Sequence, residues 1–373
     1  MSDSRHVNQV YDPFARGSFP AGTKSFEWND ATRDRSLPVD VWYPATDAHR
    51  GQDLAPETQD KFQPFALAPA VTQEAVRDAE AREGRFPLVI FSHGFGGVKT
   101  QSTFFCTHLA SHGYVVAAMN HVGNTTLDMM RMATAPPSAG FIDTFMSDRP
   151  ADASFVIDRM LAGDSGLVID PSRIGISGHS FGGWTTLNTA GRDPRIRAAL
   201  PLAPAGGTAA AAPGEIPNAL RDGLTLDWDR EVPTLYLVAE LDTVLPLDGM
   251  RDLFARTREP RRGIVLLNSD HFHFCDRVEQ THDMFKQIGP LISGSAGDPE
   301  ATEQMTAAIN GMKSSQDLAP GAHAYALNCG LGLAHMDAHV RDNRDAMRLL
   351  EGDLCALMAG RGIQVAELEN CFS

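Results

Sequence analysis

Six short apolar runs punctuate this chain, at 86–91, 114–119, 174–177, 197–203, 233–239 and 263–268, and polar or glycine-rich residues follow them. Runs this short that are apolar nearly throughout, rather than alternating, suit strands buried on both faces, as in a parallel sheet. Helical periodicity falls between them, at 101–112, 151–161, from Phe181 onward and at 247–257. Strands alternating with helices imply right-handed crossovers and an α/β architecture. In such a sheet the ligand site lies beyond the carboxyl ends of the strands. Those ends are residues 92–97, 120–123, 178–182, 240–246 and 269–276, and the polar clusters with chemical potential lie there.

One end carries a sharper signal. Gly178-His179-Ser180-Phe181-Gly182 has the Gly-x-Ser-x-Gly form of a nucleophile elbow, with a strand before it and an apolar helix after it. A strand that reverses into a helix within a few residues crowds its neighbours, and glycine tolerates the crowding because it lacks Cβ. Gly182 and Gly183 let the helix sit close to the strand, and Ser180 is pushed out at the sheet edge. A serine hydroxyl is a weak nucleophile at neutral pH and needs a base held by a carboxylate. Asp242 is the candidate acid, with Glu240 as rival and Asp248 behind it. His271, first after the run at 263–268, is the candidate base, and His273 competes with it. A tetrahedral oxyanion needs two N–H donors, here expected from Phe181 and from Phe95 in the loop His93-Gly94-Phe95-Gly96-Gly97.

Other polar residues near these ends have structural readings of equal weight. His93 is expected to brace its loop, and His121 either lines the pocket or is structural. His179, Trp184 and His273 complete the candidate pocket. His271, His273, Cys275 and Asp276 are all metal-ligand types, and His335 and His339 stand four apart on an expected helix. Two phenylalanines interrupt the first set. The second lacks the glutamate of a zinc protease, since Met336 follows His335. No metal or other cofactor is expected.

The rest of the chain supplies bounds. Residues 1–23 read as an irregular arm, and 24–28 with 37–43 as an antiparallel hairpin. A short helix is expected near 73–82. The segments 122–147 and 204–231 are candidate cap loops, the first rich in methionine and phenylalanine. The core then spans 24–276, and 277–373 is a helical extension with one helix expected over 331–358. A formal net charge of −15 argues against nucleic acid or an anionic membrane as the main partner. No apolar run reaches the length of a membrane span. The N-terminal residues lack a secretory layout, and the five scattered cysteines fit reduced thiols, so a cytoplasmic monomer or homodimer is expected.

The combination of His93-Gly-Phe-Gly-Gly, Gly178-His-Ser-Phe-Gly-Gly, Leu241-Asp-Thr-Val-Leu-Pro and His271-Phe-His-Phe-Cys-Asp resembles the α/β-hydrolase superfamily. Within it the chain is similar to dienelactone hydrolase-like proteins and platelet-activating factor acetylhydrolase-like serine esterases, as are Arg33-Asp-Arg-Ser-Leu-Pro-Val-Asp-Val-Trp-Tyr-Pro44 and Arg149-Pro-Ala-Asp152. Cutinase-like polyesterases share the Leu241-Asp-Thr pattern and a histidine followed by phenylalanine. Two departures matter. Dienelactone hydrolases proper use cysteine where Ser180 stands. The mammalian-type acetylhydrolases place their acid near Ala203, which cannot serve, so Asp242 takes that role. The resemblance implies a carboxylic ester hydrolase working on a small ester through an acyl-enzyme. Amide, thioester or lactone hydrolysis, or a pocket that only binds, are the alternatives.

Overall fold

The computed structural model describes residues 11–66, 68–132, 140–208, 215–293 and 299–370. The first ten residues of the expected arm, 133–139 and 209–214 of the expected cap loops, and Cys371 lie outside them. In chain order the elements begin with a hairpin, β1 (Ala21–Asp30) and β2 (Arg35–Pro44), and three short strands, β3 (Asp60–Phe62), β4 (Val71–Gln73) and β5 (Val76–Arg77). Then come β6 (Arg85–Ser92), α1 (Thr103–Ser111), β7 (Val115–Met119), α2 (Thr126–Met132), α3 (Phe141–Leu161), β8 (Val168–His179) and α4 (Phe181–Arg192). These are followed by β9 (Ile196–Leu202), α5 (Glu215–Asp222), β10 (Thr234–Ala239), α6 (Leu247–Arg256) and β11 (Arg261–Leu266). The chain closes with α7 (Val278–Ser293), α8 (Pro299–Gly311), α9 (Gly321–Val340), α10 (Arg344–Glu351), α11 (Leu354–Ala359) and β12 (Val365–Glu367).

Ten of these strands form one sheet in the order β12-β11-β10-β9-β8-β6-β7-β2-β1-β5. From β11 to β7 neighbours run parallel, while β12 and the β1–β2 hairpin add antiparallel edges. The chain leaves β6 for β7 on one side and returns to β8 on the other. The crevice between β6 and β8 is therefore the topological switch point, where an open α/β sheet accepts ligands.

The apolar runs are continuous because both faces of the sheet are covered. Leu88, Ile90, Ile174 and Ile176 face a core built with Val156 and Ile157 of α3, Leu187 of α4 and Leu253 of α6. Val89, Phe91, Leu200 and Leu237 face the other way, onto Phe105 and Leu109 of α1 and Leu327, Leu331 and Met336 of α9. Gly175 is what allows α9 to lie so close to β8, since a Cβ there would stand 2.6 Å from Met336 Sδ.

Two local expectations fail for identifiable reasons. The segment near 73–82 is extended, not helical: Gln73 accepts from the Trp42 indole at 2.6 Å and donates to Asp60 Oδ2 at 2.6 Å, pinning β4 against the hairpin. The helix expected over 331–358 is three helices. Asn343 caps α10 through the N–H groups of Asp345 and Ala346, and Asp353 caps α11 through that of Ala356. Such side-chain caps compete with helix continuation.

Candidate active site

Ser180 sits where β8 becomes α4, with φ 60° and ψ −119°. A non-glycine residue there costs about 1–3 kcal/mol and persists only when its surroundings over-determine it. They do. Its N–H donates to Leu202 O at 2.9 Å, and its carbonyl accepts from Ala205 N at 3.0 Å and Trp184 N at 3.1 Å. The flanking glycines are needed sterically: a Cβ at Gly182 would stand 1.9 Å from Ser92 O, and one at Gly178 would stand 2.5 Å from Gly182 O. Ser180 keeps 9% exposure at the sheet edge.

Asp242 follows β10, and His271 opens a single 3-10 turn, His271–Phe274, just past β11. His271 Nδ1 and Asp242 Oδ2 lie 2.8 Å apart, both residues buried. Asp242 Oδ1 accepts from Val244 N at 3.0 Å and Leu245 N at 2.6 Å. Burial pushes the Asp242 carboxyl up from the ordinary range, and the His271 imidazole pulls it back down. With Nδ1–H donated to the carboxylate, Nε2 is the nitrogen left to take a proton. Among the described residues neither His271 Nε2 nor Ser180 Oγ has a hydrogen-bond partner, so the two do not meet in a hydrogen bond in this structure.

The rivals are otherwise engaged. His273 donates from Nε2 to Ala319 O at 2.9 Å and accepts the Asp270 N–H on Nδ1 at 3.0 Å. Glu240 accepts from Asn268 N at 2.7 Å, and Asp248 pairs with Arg251 at the surface. Asp276 accepts from Thr103 and Phe104 at the start of α1, and His335 Nε2 donates to Ala199 O.

The loop after β6 lies against the elbow: a Cβ at Gly94 would come within 3.3 Å of Ser180 Cβ. Among the described residues the N–H groups of Phe95 and Phe181 meet no acceptor. Their rings lie 6.2 Å apart, and Phe145 of α3 packs 6.1 Å from Phe95, making an apolar wall. Trp184 is fully buried, donating its indole N–H to Leu220 O at 2.7 Å beneath the segment after β9.

Behind that loop lies a buried polar cluster. His93 donates from Nδ1 to Gly94 O at 2.7 Å and accepts the His121 N–H on Nε2 at 3.0 Å. His121 bridges Ser92 Oγ at 2.9 Å and Asp152 Oδ2 at 3.0 Å. Arg149, fully buried, donates to Asn124 Oδ1 and the His93 carbonyl, and its guanidinium lies 4.6 Å from the Phe181 ring centroid. Burial pulls Arg149 down to about 9, still a cation at neutral pH. Burial, with Arg149 second, pulls His121 down to about 4. Asp152 resists the upward push of burial through its hydrogen bonds from His121 and Arg35, which hold it at about 2.

Sequence reading missed two residues. Asp270 accepts from Thr243 N and Oγ1, both at 2.8 Å, and from His271 N at 2.7 Å, strapping the Asp242 loop to the His271 turn. Its place directly before His271 was the available signal. Gln101, on the approach to α1, gave none.

Sheet order, elbow and strand-end residues define an α/β-hydrolase. The comparisons agree. A family model for platelet-activating factor acetylhydrolase, isoform II, matches residues 40–136. Cutinase est1 of Thermobifida alba is 30% identical over 50% of this chain and 54% of its own length. Platelet-activating factor acetylhydrolase of Cavia porcellus is 28% identical over 32% of this chain and 35% of its own. The chain thus spans about half the length, or less, of these curated relatives. A solved ferulic acid esterase from Streptomyces cinnamoneus superimposes with a TM-score of 0.61 at 25% identity, covering 90% of this chain and 93% of that one. The chain therefore has the α/β-hydrolase fold, and the proteins it is similar to by sequence and by structure are esterases. Among the described residues no helix is long and apolar enough to cross a membrane.

Proposed function

We propose that this protein is a serine hydrolase that cleaves small carboxylic esters. Ser180 attacks the ester carbonyl while His271 Nε2 takes its proton. Asp242 holds the imidazole in the required tautomer and stabilises the imidazolium that forms. The N–H groups of Phe95 and Phe181 receive the oxyanion, and His271 then protonates the leaving alcohol. Water, deprotonated by the same nitrogen, attacks the acyl-enzyme and releases the acid. The observation that carries this reading is the buried His271–Asp242 pair at 2.8 Å beside a serine held at φ 60°. In this reading the hydrogen bond between Ser180 Oγ and His271 Nε2 forms with substrate bound, as catalytic hydrogen bonds in ligand-free enzymes commonly tighten only then. The Phe95, Phe145 and Phe181 rings favour an apolar acyl or aryl group beside the oxyanion loop. In this reading residues 24–276 carry the reacting groups and the helices beyond them brace the sheet.

The test is labelling with a fluorophosphonate, followed by turnover on p-nitrophenyl esters of rising acyl length. Covalent modification of Ser180 with parallel loss of ester hydrolysis is expected. Full hydrolysis by Ser180→Ala refutes the assignment. An amide turned over as fast as the matching ester would move the reading to an amidase.

A further inference from the structure

Gln101 touches none of the reacting groups, yet its side chain joins the segments that hold them. Its Oε1 accepts the Gly94 N–H at 2.9 Å. That fixes the amide orientation, so Nε2 is a donor, and it meets His179 Nδ1 at 3.0 Å. His179 must then carry its proton on Nε2, which donates to the backbone carbonyl of His271 at 2.9 Å. Three donors point one way along this path: oxyanion loop to amide, amide to elbow histidine, elbow histidine to the backbone of the base. The amide is seated rather than draped. A Cβ at Gly97 would stand 2.6 Å from Gln101 Oε1, and one at Gly94 3.4 Å away, so the glycines leave room for it. The Gln101 carbonyl also accepts the Asp276 N–H at 2.8 Å, tying the same residue to the far end of the His271 turn.

We infer that Gln101 is a positioning residue for the proposed ester hydrolysis, its amide setting the oxyanion loop, the elbow and His271 in register through His179. The inference rests on the serine-hydrolase reading. Glutamine suits the position because one planar group must accept from a backbone N–H and donate to an imidazole at once. A protonated carboxyl can do the same; a carboxylate or a thioether cannot. Burial holds His179 well below the ordinary histidine range, so it stays a neutral, one-proton link. The ionisable groups around the amide are His179 of the elbow, His93 of the oxyanion loop, and Cys275 and Asp276 of the His271 segment.

The experiment compares wild type, Gln101→Met and Gln101→Glu for kcat, KM and fluorophosphonate labelling of Ser180 between pH 8 and pH 4, with thermal unfolding at each pH alongside. Gln101→Met keeps the volume and loses both hydrogen bonds. Its kcat and labelling rate should fall roughly 10- to 100-fold, the scale of a small misplacement of reacting groups. KM should stay within about threefold, as positioning without substrate contact requires. Gln101→Glu should match Gln101→Met at pH 8 and regain ground on wild type as pH falls through the carboxyl's titration near pH 4–5. The histidine 15N spectrum gives an activity-independent readout: His179 should be the Nε2–H tautomer in wild type, and its Nδ1 signal should move in Gln101→Met. Undiminished kcat in Gln101→Met, or a Gln101→Glu to wild-type ratio flat with pH, overturns the inference alone. A wild type that neither labels nor turns over any ester overturns the hydrolase reading and the catalytic role with it, and the 15N spectrum still decides whether the link exists.

Discussion

In two places the molecule pairs a buried histidine with an aspartate near a serine. At the rim, Asp242 holds His271 at 2.8 Å beside Ser180. Behind the oxyanion loop, Asp152 holds His121 at 3.0 Å, and His121 in turn reaches Ser92 Oγ at 2.9 Å. By contact alone the second array is the more complete. It is also sealed: Ser92 is the last residue of β6 with no exposure, and Arg149 Nη2 donates to its hydroxyl at 3.2 Å. Ser180 has 9% exposure, a strained backbone and, among the described residues, two N–H groups nearby that meet no acceptor. The identity of three residues does not make a nucleophile; access, backbone geometry and a receptor for the developing charge do. The buried array fixes the loop on which the proposed receptor depends.

The serines separate the two arrays most sharply. Ser180→Ala should lower kcat roughly a million-fold with the fold intact, read on an activated ester. Ser92→Ala should leave fluorophosphonate labelling at Ser180 and cost about 1–2 kcal/mol of stability for two lost hydrogen bonds. A Ser92→Ala protein that folds but no longer labels would erase the distinction. The acids come next. Asp242→Asn should cost about 10⁴ in kcat by supporting the wrong imidazole tautomer. Asp152→Asn should act on the fold, removing one carboxylate from Arg33, which keeps Asp30, and from Arg35, which keeps Asp148, at about 2–3 kcal/mol in urea unfolding at pH 7.

Acid should loosen the buried array. Unfolded histidine takes up a proton near pH 6.5, but folded His121 does so only near 4. The unfolded chain thus binds more protons between those values, and stability falls as pH is lowered through that window, by about 3 kcal/mol. Asp152, held at about 2 against an ordinary 3.8, extends the loss below pH 4. Urea midpoints from pH 7 to pH 3 read this slope, and His121→Gln should flatten its upper part. The smallest effect is at Asp270: Asp270→Ala, which unstraps the acid loop from the His271 turn, should cost roughly tenfold in kcat with little change in KM.

Much of this was legible along the chain because it is local. The apolar runs mark strands covered on both faces, and the pentapeptide around Ser180 marks the turn from β8 into α4. The choice between His271 and His273 was not legible, since both lie on one short 3-10 turn with no alternation to follow. His273 is engaged on Nδ1 by its neighbour Asp270 and on Nε2 by the carbonyl of Ala319, from a loop nearly fifty residues on. Gln101 was silent because its role depends on an amide meeting two segments far away in sequence. The split of α9 from α10 was hidden for another reason. Helix α9 is buried nearly all round, so its apolar residues ran on into those of α10 without a polar face to mark the seam.

Gly175 has a consequence for how the molecule is made. The notch it leaves in β8 is filled by Met336, from a helix synthesised about 160 residues later. Until that helix emerges from the ribosome, one face of the central strands lacks its cover and is open to wrong partners. A nascent chain stalled after the His271–Phe274 turn would hold every group proposed for the chemistry, and we expect it to require a chaperone until α9 docks.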